Sequence, residues 1–193
     1  MTAPAAAAIP AEIRPATAAD ALGIAQVRVD AWRTTYRGMM PAAYLAAMRV
    51  EDSHALWERV LTAAPNTTST VVAAVDGRVA GFASALMLPE PKFGLDAELT
   101  AIYLDRDRQR AGLGTRLLAA VLAAQRRHGA TGMLTWVIAG NRGARAFYER
   151  YGAELLVEQP FQWDGMDLVE AGYGWRDLAA LAAACAAAGA TLH

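Results

Sequence analysis

Cysteine is almost missing from this chain. Cys185 is the sole one among 193 residues, so no intrachain disulfide can form and no cysteine-based zinc site exists. Lysine is as scarce: Lys92 is the only one, and arginine carries nearly all the positive charge. The formal net charge is −1, which speaks against a protein that holds nucleic acid through a broad basic field. His54, His128 and His193 lack metal-ligand spacing, so no metal site is expected. No uninterrupted apolar run reaches the roughly 18 residues of a membrane span. The alanine-rich start, residues 1–10, has no basic n-region and is interrupted by Pro4 and Pro10. It reads as a flexible tail over residues 1–11 rather than a signal peptide, and the cytoplasm is the expected compartment. With 55% hydrophobic and 19% charged residues, the chain suits one domain with a full core.

Local signals order the elements. Residues 12–17 predict a short edge strand, because Pro15 cannot donate to a central ladder. A helix opens around Thr17 to Asp20 and leads to Trp32, and the segment after it breaks at Gly38. Pro41 suits the first turn of a second helix through Tyr44, Leu45 and Met48. Ser53 is expected to cap a third, reaching Leu61. Residues 65–69 read as a polar connector. The β-branched run 70–75, the Asp76-Gly77 pair and residues 78–88 predict a hairpin. Pro89 and Pro91 are expected to end its second strand, with a loop through Gly94. Residues 97–104 form the next strand.

Residues 112–128 are strongly helical: Leu113, Leu117, Val121 and Ala124 share one stripe, and Gly129 supplies the stop. A strand over 133–138 follows. Asn141 caps a helix through Arg150, ended by Gly152. Residues 153–157 and 167–175 predict an antiparallel pair around an aromatic loop at Phe161 to Trp163. An alanine-rich helix over 178–188 closes the chain. No linker divides this α/β order.

The stretch Gln109-Arg110-Ala111-Gly112-Leu113-Gly114-Thr115 joins a strand to a helix. Two glycines there let backbone N–H groups approach a ligand, and a helix start offers free donors at a positive dipole end. Arg106, Arg108 and Arg110 lead into it. This is a seat for a polyphosphate, with tight strand–helix packing as the other reading of the glycines. A P-loop is excluded because no lysine is present at the turn. A dinucleotide fingerprint is excluded because only part of G-x-G-x-x-G occurs, past the middle of the chain.

Three stretches together resemble the GNAT superfamily of acyl-CoA N-acyltransferases. They are Glu98-Leu99-Thr100-Ala101-Ile102-Tyr103-Leu104, then Gln109-x-x-Gly112-x-Gly114, then Asn141-x-x-Ala144-x-x-Phe147-Tyr148-Glu149-x-x-Gly152. The opening helices, with Trp32 and Tyr36, are also similar to those of bacterial members. Many relatives have a proline soon after the strand, where Asp105 and Arg106 stand here. The resemblance implies an α/β fold: a mixed, mostly antiparallel central sheet flanked by helices, with a splayed strand pair and a β-α-β-α core. It implies a catalytic domain over 12–176; the alanine-rich face of the terminal segment, residues 177–193, suits a helix packed on that domain or at a dimer interface.

The resemblance further implies acetyl-CoA as cofactor and transfer of its acetyl group to a primary amine by direct attack in a ternary complex. A non-catalytic acyl-CoA-binding regulatory module is the alternative. The implied cofactor contacts are Gln109, then Arg110, Ala111, Gly112, Leu113, Gly114 and Thr115 through their N–H groups on the pyrophosphate, and Ile102, Tyr103 and Leu104 through backbone on pantetheine. Asn141 and Phe147 complete the set, Asn141 equally serving as a helix cap. Tyr148 is the candidate acid for the leaving thiolate. Glu98 is the candidate base, through water, and reads equally as a strand-end carboxylate. The acceptor pocket is expected between Trp32 and Tyr36, the 89–96 loop and the 161–163 loop. Glu90, Asp96 and Asp164 are candidates to attract a cationic amine. The expected partner is a small-molecule or peptide amine, with no nucleic acid and no membrane, and a homodimer is open.

Overall fold

The computed structural model describes residues 11–63 and 67–190. Residues 1–10 of the tail expected over 1–11, Pro65 and Asn66 of the connector, and residues 191–193 of the expected terminal segment lie outside the described residues. Among the described residues, seven strands form one sheet: β1 (Glu12–Pro15), β2 (Ser69–Val75), β3 (Arg78–Lys92), β4 (Leu95–Leu104), β5 (Met133–Ile138), β6 (Glu154–Trp163) and β7 (Met166–Trp175). Their spatial order is β1-β2-β3-β4-β5-β7-β6. Every neighbouring pair is antiparallel except β4–β5. The helices are α1 (Ala21–Thr35), α2 (Ala42–Ala47), α3 (Val50–Thr62), α4 (Leu113–Arg127), α5 (Arg142–Arg150) and α6 (Leu178–Ala190).

The sheet is covered on both faces. On one, Leu117, Leu118, Val121 and Leu122 of α4 and Leu178, Leu181 and Cys185 of α6 meet Val71, Ala73, Ala97 and Leu99. On the other, Ile24, Ala25 and Val27 of α1 and Trp57 of α3 meet Val72 and Phe82. Burial of alternate residues on opposite faces explains why β2 is a continuous apolar run. Beneath α1, Asp20 accepts both guanidinium nitrogens of Arg14 at 2.7 Å and the Thr17 amide at 2.8 Å.

The structure corrects several local expectations. β3 does not stop at Pro89 but continues to Lys92. Its ladder with β4 lapses between the Met87–Ala97 and Lys92–Leu95 pairs, so Pro89 and Pro91 withhold no needed donor. The expected 89–96 loop is therefore strand, closed by Phe93 and Gly94 at φ 55° and 75°. The 161–163 loop is also strand. Asp164 and Gly165, at φ 47° and 75°, make a two-residue turn whose twist matches the strands on either side. Ser53 is no cap: α3 starts at Val50 behind Arg49, and the Ser53 amide donates to the Arg49 carbonyl at 3.3 Å. Glu51 and Asp52 suit that earlier first turn through the helix dipole. α2 ends at Ala47, with Met48 extended behind it.

Two features of β4 position the site. Ser84 pairs with Ala101 and Ala85 with Leu99, so Thr100 is an extra residue, a β-bulge. Before it, Ala97 and Leu99 face α4; after it, Ile102 and Leu104 do, and Tyr103 is turned toward α1. The second feature is the short parallel ladder with β5, which pairs residues 97–99 with 133–135 and then stops. Beyond Leu99 the two strands diverge.

Candidate active site

The divergence of β4 and β5 opens a cleft of about 600 Å³, a volume typical of ligand sites. One wall is the free edge of β4 from Thr100 to Leu104; the other is Thr135, Trp136 and Val137 of β5. The 100–104 segment keeps its bonds to β3 on one edge. Its other edge faces the cleft with no strand beside it, as an added strand would require.

The glycine loop forms the mouth. Gly112 caps α4 at φ 78°, a left-handed conformation that glycine adopts without a Cβ clash. Arg110 also has positive φ, 63°. Among the described residues, the N–H groups of residues 110–115 donate to no protein acceptor. They form a row of donors at the positive end of a 15-residue helix, the arrangement that suits a phosphate group. Gly114 faces the cleft. A Cβ built there would stand 3.5 Å from both the Leu104 Cδ1 methyl and the Phe147 ring, in ordinary contact with two residues that line the cleft.

Helix α5 supplies the far wall. Asn141 accepts the Ala144 amide at 3.1 Å as its N-cap, and Phe147, Tyr148 and Tyr151 reach the cleft. Arg145 anchors this helix beneath. It donates to the Tyr173 hydroxyl at 2.9 Å and the Ala139 carbonyl at 3.1 Å, and pairs with Glu158 at 2.7 Å. Tyr148 is 6% exposed. Burial pushes its phenol well above the ordinary range, the Tyr103 phenol adds to this, and Thr135 opposes it. The proton therefore stays on the oxygen at neutral pH.

The cleft brings together most of the residues singled out in the sequence. Tyr36, Ile102, Tyr103, Leu104, Gln109, Arg110, Gly112, Gly114, Thr115, Asn141, Phe147 and Tyr148 all line it. Ala111 and Leu113 do not; the Leu113 side chain is core, 1% exposed, and only its amide belongs to the loop. Trp32 packs edge-on against Tyr36 and stands behind the wall. Glu98 lies in the fully paired part of β4, opposite Leu86 and Leu134, outside the lining. Burial raises its carboxyl pKa, Lys92 opposes this and Glu170 adds to it. The Thr115 hydroxyl is committed to the Tyr151 hydroxyl at 2.5 Å. Of the expected acidic attractors, Asp96 binds Thr131 and the Gly132 amide, Asp164 sits in the β6–β7 turn, and Glu90 is exposed on β3.

Tyr151, Thr135, Trp136 and Arg150 line the cleft unannounced by any motif. Tyr151 had a signal in its i+3 spacing from Tyr148 on one helix face. Thr135 had none, since its hydroxyl is spent on the Leu99 carbonyl at 2.9 Å, a bond between strands distant in sequence.

Residues 29–153 match the family model described as Acetyltransferase (GNAT) family. The chain belongs to the GNAT acetyltransferase family. A relative agrees: YuaI, an uncharacterized N-acetyltransferase of Bacillus subtilis (strain 168), is 38% identical over 171 residues, covering 88% of this chain and 95% of that one. Among solved structures, the PaiA N-acetyltransferase of Thermoplasma acidophilum in complex with coenzyme A shares the fold at TM-score 0.66 and 19% identity, over 86% of this chain and 99% of that one. YncA from Salmonella typhimurium, solved with its cofactor acetyl-CoA, does so at TM-score 0.65 and 22% identity, over 87% and 94%. This GNAT chain is accordingly an N-acetyltransferase built on a seven-stranded, mostly antiparallel sheet between helices. Among its described residues no helix is long and apolar enough to cross a membrane.

Proposed function

We propose that this chain transfers the acetyl group of acetyl-CoA to a primary amine by direct attack within a ternary complex. The row of unengaged N–H groups over 110–115, continuous with the free edge of β4, carries this reading. It fits a ligand with an anionic diphosphate at one end and an amide-bearing arm along the rest. Acetyl-CoA supplies an activated acyl group as a thioester. The loop amides and Arg110 bind the diphosphate, and the β4 edge at Ile102 to Leu104 orients the arm, with Asn141 beside it. Phe147 packs against the arm at the loop. Tyr148 holds a proton at its phenol oxygen for the departing sulfur. Glu98, with its raised pKa, serves as a base only through intervening water, since it stands outside the lining.

The acceptor enters from the α1 face, where Tyr36 and Tyr103 meet. Release of CoA thiol from acetyl-CoA, assayed with spermidine, an alanine-initiated peptide and free lysine, tests the proposal. Turnover with at least one amine is expected, and Tyr148→Phe should lower kcat by about a hundredfold with the melting temperature retained. Tight acetyl-CoA binding with no thiol release from any amine would make the chain an acyl-CoA-binding regulatory module instead.

A further inference from the structure

The inner end of the cleft holds a group of phenols that the cofactor reading leaves unassigned. The Tyr36 and Tyr103 hydroxyls are 3.3 Å apart, one from the end of α1, the other from β4. Both line the same cleft as Tyr148 and Asn141. They reach it from opposite sides of the sheet: Tyr148 packs in the α4-side core, while Tyr36 and Tyr103 belong to the cluster around Trp32 and Met40. The gap between β4 and β5 joins the two sides. Tyr36 is 6% exposed, so most of its surface is packed against protein.

We propose that the Tyr36–Tyr103 hydroxyl pair carries the proton of the attacking amine toward Tyr148, making Tyr36 and Tyr103 participants in acetyl transfer. The inference rests on the reading of this cleft as an acetyltransferase site. The balance is complete without a further reagent. Glu98, through water, takes the ammonium proton; the neutral amine nitrogen then forms its bond to the acyl carbon and gives its second proton to the Tyr36 oxygen. Tyr36 passes its own proton to Tyr103, and Tyr103 passes its own to Tyr148. Tyr148 gives its proton to the sulfur as the carbon–sulfur bond breaks. All three phenols end protonated, and the products are an amide and a free thiol.

The surroundings require the protons to move together. Burial pushes the Tyr36 phenol far up, and the Tyr103 and Tyr148 phenols push it further, with the Asn141 amide opposing. Burial and the Tyr103 phenol raise Tyr148 as well, with Thr135 opposing. A standing phenoxide is therefore costly, whereas a chain of neutral hydroxyls exchanging protons in concert creates none.

The test uses the full chain, acetyl-CoA and whichever of spermidine, the alanine-initiated peptide or lysine the wild type acetylates, under single-turnover conditions. Tyr36→Phe and Tyr103→Phe should each slow the step about tenfold or more, with KM for acetyl-CoA unchanged and the double variant no slower than either single one, as expected of groups acting as a unit. The wild-type rate should respond to mixed H₂O/D₂O as a curve, marking several protons in flight. That measurement stands even if a variant fails to fold. A linear response, losses that multiply in the double variant, or full activity in Tyr103→Phe alongside a large loss in Glu98→Gln would overturn the relay and leave acetyl transfer intact. No thiol release by the wild type from any amine would overturn acetyl transfer, and the relay with it.

Discussion

Replacing Gly114 by alanine separates packing from ligand binding at the glycine loop. The position is helical, at the second residue of α4, and its backbone needs no left-handed conformation. The added methyl would meet Leu104 Cδ1 and Phe147 at 3.5 Å, which is ordinary contact. Alanine in place of glycine favours a helix by about 0.5–1 kcal/mol. For a chain of this size that is a rise in melting temperature of about 1–4 °C without ligand. The same methyl projects into the cleft beside amides that donate to no protein acceptor. Pushing a diphosphate off one charge-assisted hydrogen bond there costs about 1.5–3 kcal/mol, a loss of tenfold or more in CoA affinity. The assay is a melting curve with and without CoA. At 100 times its Kd, CoA stabilises the wild type by about 2.7 kcal/mol; at the same concentration a tenfold weaker variant gains about 1.4 kcal/mol. The ligand-dependent shift should thus halve while the ligand-free melting temperature holds or rises. An unchanged CoA shift would refute the role of this glycine as a phosphate cradle. A ligand-free protein melting several degrees lower would show that it serves packing after all.

Gly81 is the control, because a Cβ there would collide with the Leu104 side chain and stand 3.0 Å from the Tyr103 carbonyl. Gly81→Ala should cost about 1–3 kcal/mol in urea unfolding, and wild-type stability in that variant would contradict the close β3–β4 approach. Asp20 gives the pH dependence. The Arg14 guanidinium, with Thr17, lowers its carboxyl from 3.8 to about 2, which is worth about 2 kcal/mol of stability. A carboxyl pKa lowered on folding stabilises fully above 3.8, and the contribution disappears as pH falls toward 2. Asp20→Asn should lose about 2 kcal/mol at pH 7 and converge with the wild type in acid; a gap constant down to pH 2 would sink the assignment.

Elements with strong local punctuation were legible in the sequence: α4 between Gly112 and Gly129, α5 between Asn141 and Gly152, and the Asp76-Gly77 hairpin. The misread boundaries have separate causes. Pro89 and Pro91 signal an end only if a partner strand needs their amides, and the lapse in the β3–β4 ladder removes that need. Asp164-Gly165 carried the same two-residue turn signal as Asp76-Gly77, but the aromatic residues before it suggested a loop. Ser53 had a capping side chain, yet the acidic pair before it already served the first turn.

The site divides along the same line. The glycine loop and the α5 motif are contiguous in sequence, and their backbone role follows from local geometry. The meeting of Tyr36 and Tyr103 in the cleft that Tyr148 lines depends on a single residue that pattern reading cannot locate. Strict alternation from Leu99 would put Tyr103 on the α4 face, buried beside Leu117 and away from Tyr36. The extra residue at Thr100, whose hydroxyl donates to the Ser84 carbonyl at 3.1 Å, shifts the alternation by one and turns the phenol toward α1. The bulge, followed at once by the end of the β4–β5 ladder, has two consequences. It leaves backbone groups free for an extended ligand, and it places a hydroxyl from one face of the sheet in the same cleft as a phenol from the other. A proton path through the sheet needs both, so the opening that admits the ligand and the route that serves the reaction arise from the same local irregularity of β4.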